Sequence, residues 1–288
     1  MWSIFNTWQF NLLAYLFLAV IFSQFFKLAM KNAKKDGAAV LLLQGIGGLS
    51  ILLAFPFFKL NIPTDGKVYA LLIIACIFYA LNDRFQGTAR KHLQVSAISI
   101  LNQLSTVFLI IFGITIFKSG FSWEKILGAA LILFANVLLL HKKSDEGFKF
   151  NKYIGMAMVA NLAFAIAISI DIDISKQFNL PFYIMLTLVV PAIMIGVVEK
   201  ISLVSVINEF THQNRKYYLI TGLAWGSAIL FSLRSFALGE VATIVPLQSL
   251  AVLLNVLVAY VFLNEKTEKV KKIIAALLVM GGVYLTVF

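Results

Sequence analysis

The chain has 288 residues, of which 61% are hydrophobic and only 13% charged; 26 are Phe, and the mean hydropathy is +0.92. A soluble domain of this length has no interior able to hide that much apolar surface, so the composition excludes a soluble globular protein. The net charge of +11 sits in short Lys and Arg clusters between apolar runs, as membrane orientation and anionic headgroups require, and not on one face of a nucleic-acid-binding domain.

Apolar runs near 20 residues recur at 9–30, 38–58, 68–90, 95–117, 122–141, 153–173, 181–199, 217–238, 242–263 and 272–288. Each is long enough to cross a hydrocarbon core about 30 Å thick. The first has no basic residue before it and exceeds the h-region of a signal peptide, so it predicts a retained span. Pro56, Pro181, Pro191 and Pro246 lie in or beside spans, where a bundle can re-satisfy the freed carbonyls; Pro246 opens the ninth span. Cys76 is the single cysteine and lies in an apolar run, which leaves no disulfide framework and no thiol metal site. Between the seventh and eighth spans, ISLVSVINEF reads as a short amphipathic helix lying in the interface. HKKSDEGFKFNK (141–152) is hydrophilic and joins the two halves.

Those halves repeat each other. VSAISILNQL (95–104) aligns with VATIVPLQSL (241–250) at a separation of 146 residues, with Asn102 on Gln248. The same separation sets GAALILFANVLLL (128–140) on IAALLVMGGVYLT (274–286) without a gap. Five spans per copy is an odd number, so the second copy enters the membrane upside down, as in transporters whose substrate binds near the midplane between halves. The expected fold is an all-α membrane protein: ten transmembrane helices as two inverted five-helix repeats, 1–141 and 153–288, joined by a polar linker at 142–152. Seventeen Lys and Arg follow the odd-numbered spans and five follow the even-numbered ones, which places the odd loops in the cytoplasm and both termini outside.

SFALGEVATIVPLQSLAVLLNVLVAYVFLNEK (235–266) resembles the signature of the EamA-type transporters of the drug/metabolite transporter superfamily: Ala237-Leu238, the turn Gly239-Glu240, an apolar helix with Pro246, then Asn264-Glu265. The first copy has Ile100 in place of the proline and Ser119 in place of the glutamate. The resemblance implies a ten-span carrier of amino acids, other metabolites or drugs, often outward, with termini drawn in the cytoplasm.

An ionisable side chain at membrane depth costs at least about 2.5–3.5 kcal/mol and normally faces the bundle interior with a partner. Asp83 and Arg84 in the third span and Arg234 in the eighth are such residues, and Thr88 is the repeat counterpart of Arg234. They predict a central cavity with cations for a carboxylate or phosphate and Asp83 for an amine or proton. The structural alternative is an Asp83–arginine clamp, or an Arg84 that snorkels to headgroups. Arg234 stays protonated at any accessible pH, so its site must supply an anion, a ring of carbonyls or a water-filled cavity; Glu240 at the span end is one candidate anion. Asn102, Gln103 and Gln248 put amides in the fourth and ninth spans, where they line the cavity or bond between helices. Gln24, Gln44, Asn136, Asn161 and Asn255 read as interhelical glue, and Gly47-Gly48 and Gly281-Gly282 as close-packing sites. Asp171 and Asp173 close the sixth span on different faces and mark a wet helix end, a coupling-ion site being the alternative.

His92, His141 and His212 fall at span ends or in loops, with no HExxH pattern and no Walker loop. The expected function is therefore non-enzymatic: a secondary transporter in the plasma (inner) membrane, exporting a small polar organic solute such as an amino acid by alternating access. No cofactor is expected. The expected partners are the solute, membrane lipids, and protons or a counter-solute, with no nucleic acid, around a monomer with an internal pseudo-two-fold. Efflux of cationic drugs and a lipid-modifying membrane enzyme are the alternatives.

Overall fold

The computed structural model describes residues 6–115, 122–140, 151–211, 215–239, 244, 247–265 and 267–287. Glu240, Pro246 and linker residues 142–150 lie outside them, as does the side chain of Asp173. Every regular element among the described residues is helical. Six helices are long and apolar enough to cross a bilayer: Trp8–Lys31, Asp36–Phe57, Gly66–His92, Lys152–Asp171, Leu180–Val198 and Arg215–Leu238. They fit a multi-pass membrane protein, since in lipid a helix satisfies its own backbone.

The ends of these helices follow from local chemistry. Helix α1 (Trp8–Lys31) is capped by the Thr7 hydroxyl, which accepts from Phe10 N at 3.4 Å. Helix α2 (Asp36–Ile51) tightens into a 3-10 segment, Leu52–Phe57, around Pro56. Asp65 caps α3 (Gly66–His92), whose last turn carries Arg90, Lys91 and His92, placing cations where the helix dipole is negative. The expected fourth span is broken into α4 (Val95–Leu101) and α5 (Leu104–Thr115). At the break, Ser105 N and Thr106 N bond back to Asn102 O and Gln103 O, three residues away, and the Leu101 carbonyl accepts from Asn161 Nδ2 at 3.3 Å. Helix α6 is Trp123–Leu140.

Asn151 and Asn179 cap α7 (Lys152–Ile174) and α8 (Leu180–Val198), with Pro181 in the first turn of α8 and Pro191 inside it. A short α9 (Leu203–Thr211) precedes α10 (Arg215–Leu238), α11 (Leu250–Phe262) and α12 (Lys269–Val287). Helix α9 exposes Leu203, Val204 and Ile207 and buries Glu209, the amphipathic pattern read for this stretch.

Two glutamates cap helices remote in sequence. Lys35 and Gln94 precede α2 and α4 without a side-chain cap of their own. Glu209 accepts from Lys34 N at 2.8 Å and Lys35 N at 2.7 Å, and from Tyr218 Oη at 2.9 Å. Glu265 accepts from Val95 N at 2.7 Å, Ser96 N at 3.2 Å and Ser96 Oγ at 2.5 Å. Each satisfies amide donors that a helix start leaves free.

Helix α1 packs on α10, α3 on α7, α6 on α12 and α2 on both α8 and α10; α3 also meets α8, α5 meets α7, and α1 meets α11. Small residues permit the closest crossings. A Cβ on Gly226 would stand 2.5 Å from Gly47 O, and one on Gly282 would stand 2.7 Å from Gly128 O, whereas one on Gly281 would meet nothing within 4 Å. Of the paired glycines read as packing sites, Gly281 therefore has no such role.

Candidate functional site

The site is built on one stripe of α3. Tyr79, Asp83, Gln86 and Arg90 stand at i, i+4, i+7 and i+11, which one face of a helix brings into line over about 16 Å. All four line one or both of two cavities in the bundle, of about 240 and 400 Å³. The cavities adjoin, sharing Asp83, Gln103, Trp225 and Gln248 in their walls.

Arg90 is the cation of the smaller cavity. It is 5% exposed, and its guanidinium lies over the rings of Phe22 and Phe26, 5.2 and 4.9 Å from their centroids. Nη1 donates to Ser23 Oγ at 3.2 Å, and the buried Nε has no protein acceptor. Arg90 is one of the seventeen cations that follow the odd-numbered spans in the sequence. Its burial corrects that to sixteen odd-side cations, which leaves the bias unchanged. Three more lining residues carry a buried polar atom without a protein partner: Gln44 Oε1, Gln86 Oε1 and Trp225 Nε1. Trp225 stacks on Phe22 at 4.3 Å. An arginine with most of its donors free, beside unpartnered amide and indole atoms, is arranged to receive a polar solute.

Asp83 is buried, lines both cavities and accepts from Asn82 Nδ2 at 3.0 Å; no arginine clamps it. The expected amides are here too. Asn102 Oδ1 accepts from Gln86 Nε2 at 2.7 Å, and Gln248 Nε2 donates to Ser232 Oγ at 3.1 Å and Ser235 Oγ at 3.3 Å. Gln103 lines both cavities from the α4–α5 break.

The other two arginines sit elsewhere. Arg84 points off the stripe, a helical neighbour being turned by about 100°, and pairs with Glu199, the residue that caps the C-terminus of α8, and with Thr88 Oγ1. Thr88 Oγ1 donates to Asp36 Oδ2 at 2.9 Å, and Asp36 pairs with Lys91 at 2.8 Å. This network ties α3 to α2 and α8 on the side of the odd loops. Arg234 is half-buried near the far end of α10, where Nη2 donates to Asn6 Oδ1 at 2.6 Å over the Phe58 ring. Neither arginine lines the two cavities.

Asp171 faces the larger cavity, where Tyr79 Oη donates to its Oδ2 at 2.5 Å and Tyr183 Oη to its Oδ1. A wet helix end describes it incompletely, because two phenols from α3 and α8 hold it. Arg90 had a detectable signal, its heptad spacing from Asp83. The Asp171 cluster had none, since Tyr79 is 92 residues away in sequence. Among the described residues no group of His, Cys, Asp and Glu side chains is arranged to hold a metal ion.

No protein-family model matches the chain. No curated protein matches it either. Among solved structures, one described only as "Crystal structure of protein" covers 94% of this chain and 94% of its own, with a TM-score of 0.58 and 14% identity. At that identity the likeness establishes a shared fold.

Proposed function

We propose that the chain is a secondary transporter that carries a small polar organic solute outward across the plasma membrane by alternating access, as an EamA-type member of the drug/metabolite transporter superfamily. The observation that carries this reading is the chamber itself. It lies within a bundle of apolar helices, its walls come from both halves of the chain, and it holds Arg90, Asp83 and a set of amides that includes Asn102, Gln103 and Gln248. Such groups are costly in lipid and mark solute or ion pathways. Arg90 is the anchor for an anionic group of the solute, and Asp83 receives an amine or a proton.

The helix pairing supports ten spans in two repeats. Counting the expected spans in order, α1 on α10 is 1 on 8, and α7 on α3 is 6 on 3. In the same way 2 on 8 answers 7 on 3, and 4 on 6 answers 9 on 1, while 2 on 7 and 5 on 10 map onto themselves. Exchanging the halves leaves these pairings unchanged, while the packing of 1 on 3 has no counterpart of like extent between 6 and 8. The hydrogen bond from Gln86 to Asn102 has its counterpart 146 residues on, between Ser232 and Gln248. An odd number of spans per copy then inverts the second copy. One chain contains the whole chamber, so a monomer suffices.

Flux into proteoliposomes with a panel of amino acids, organic acids and cationic drugs tests the proposal. Saturable flux of at least one class is expected. No flux for any class, together with turnover of a lipid, would replace it with the lipid-modifying enzyme.

A further inference from the structure

The larger cavity contains a carboxylate whose charge has no counterpart among the described residues. Asp171 is held by Tyr79 and Tyr183, one phenol on each oxygen. A carboxylate offers about four acceptor sites, so both oxygens keep capacity after the tyrosines are satisfied. None of the ion pairs among the described residues involves Asp171 or Asp83. Among the described residues no Lys, Arg or His lines the larger cavity, although both carboxylates do. Its remaining walls are rich in rings, among them Tyr15, Phe164, Trp225 and Phe236. Arg90 belongs to the smaller cavity, eleven residues and about 16 Å along α3 from Tyr79. A cation at Asp171 is therefore not repelled at short range.

We propose that the larger cavity is a subsite for an organic ammonium group, with Asp171 as its counter-charge. Tyr79 and Tyr183 fix the orientation of that carboxylate and keep its outer edge toward the cavity. The ring walls suit an alkylated ammonium, because aromatic faces attract cations and accept methyl or methylene groups at once. A volume of about 400 Å³ lies in the range of small-molecule sites. The proposal names the chemical class taken by one end of the transport chamber, and in that sense rests on the transport reading.

The test is binding to the full chain in lipid nanodiscs, which needs no transport. Choline and n-butylammonium are titrated calorimetrically beside their neutral counterparts, 3,3-dimethylbutan-1-ol and butan-1-ol. At least one ammonium should bind saturably and at least about ten-fold more tightly than its counterpart, and Asp171→Asn should weaken it about ten-fold or more without changing the neutral compound. In a second measurement on the unaltered protein, a hydrophobic carbodiimide modifies Asp171, read by mass spectrometry, and the bound ammonium should slow that modification. This arm decides the matter if Asp171→Asn does not fold.

Equal affinity for ammonium and neutral compound would reduce the cavity to an apolar hole and overturn the proposal. So would no binding of either ammonium, or binding that neither Asp171→Asn nor carbodiimide protection registers. Ammonium binding without flux of any solute would instead leave the subsite standing and remove the transporter. Flux of other solutes with no ammonium binding would do the reverse.

Discussion

Arg90→Gln separates a binding arginine from a structural one, because the structure assigns it little to do for stability. Of five guanidinium donors, one reaches Ser23 at 3.2 Å and the Nε is buried without an acceptor. Losing that bond costs about 0.5–1.5 kcal/mol, and losing the Phe22 and Phe26 contacts costs about 0.5–1 kcal/mol each. Against this stands the relief of holding an ionised group at depth, at least about 2.5–3.5 kcal/mol. The two sides nearly cancel, so folding stability should change by no more than about 1 kcal/mol. If Arg90 anchors an anionic solute group, removing one partner of that desolvated pair costs at least about 2 kcal/mol, or roughly thirty-fold in flux at sub-saturating solute. Arg90→Lys, which keeps charge and loses the planar fork, should fall between. Thermal unfolding in detergent and proteoliposome flux per folded molecule measure the two quantities. A variant destabilised by more than about 2 kcal/mol, with normal flux per folded molecule, would refute the assignment and make Arg90 a structural residue.

Gly226→Ala should destabilise the protein by about 1–3 kcal/mol by forcing α10 away from α2, whereas Gly281→Ala should not; equal unfolding temperatures would remove the crossing argument. Glu265→Ala should cost about 2–4 kcal/mol, since it strips three hydrogen bonds from the start of α4, and Glu265→Gln should cost less; chemical unfolding that ranks Gln below Ala would contradict the capping role. The Arg84–Glu199 and Lys91–Asp36 pairs should latch the odd-loop side. In a Cys76→Ser background, the Asp36→Asn, Glu199→Gln double variant should raise labelling of Ser99→Cys by a membrane-impermeant thiol reagent several-fold, since each half-exposed pair contributes up to about 1 kcal/mol. Unchanged labelling from both sides of the membrane would leave the network a static brace.

The helices were legible because hydrocarbon length and apolar composition leave few alternatives, and the amides were legible because Asn102 and Gln248 share one register. The charges were less so. Arg84 and Arg90 are both arginines near the end of one apolar run, and only the 100° turn per residue, taken with the position of Asp83, separates the one on the cavity face from the one on Glu199. Arg90 was hidden by proximity to Lys91 and His92, which look like a loop cluster. Arg234 reads as membrane-deep within the run 217–238, but α10 begins at Arg215 and the side chain lies near its opposite end, beside Asn6. Contacts such as Tyr79–Asp171 or Glu209 with Lys34 and Lys35 join residues far apart in the chain, and no local pattern encodes them.

Under the transport proposal, the stripe on α3 and the α10 residues 146 positions on would let two related halves serve a directional task. At a separation of 146 residues, Tyr79, Asp83, Gln86 and Arg90 correspond to Trp225, Ile229, Ser232 and Phe236, and those four all line the larger cavity. The neutral hydrogen bond persists in both copies, Gln86 with Asn102 and Ser232 with Gln248. The charges do not: where the first copy has Asp83 and Arg90, the second has Ile229 and Phe236. A duplicated set of charges would bury two arginines and two aspartates at membrane depth, each at a cost of several kcal/mol. It would also present the same pattern to a solute in either orientation. With Asp83 and Arg90 on the α3 stripe and Ile229 and Phe236 in the same places on α10, the proposed transport chamber would keep the frame common to both halves and give a solute a single way round, anion toward Arg90 and cation toward Asp171 of α7.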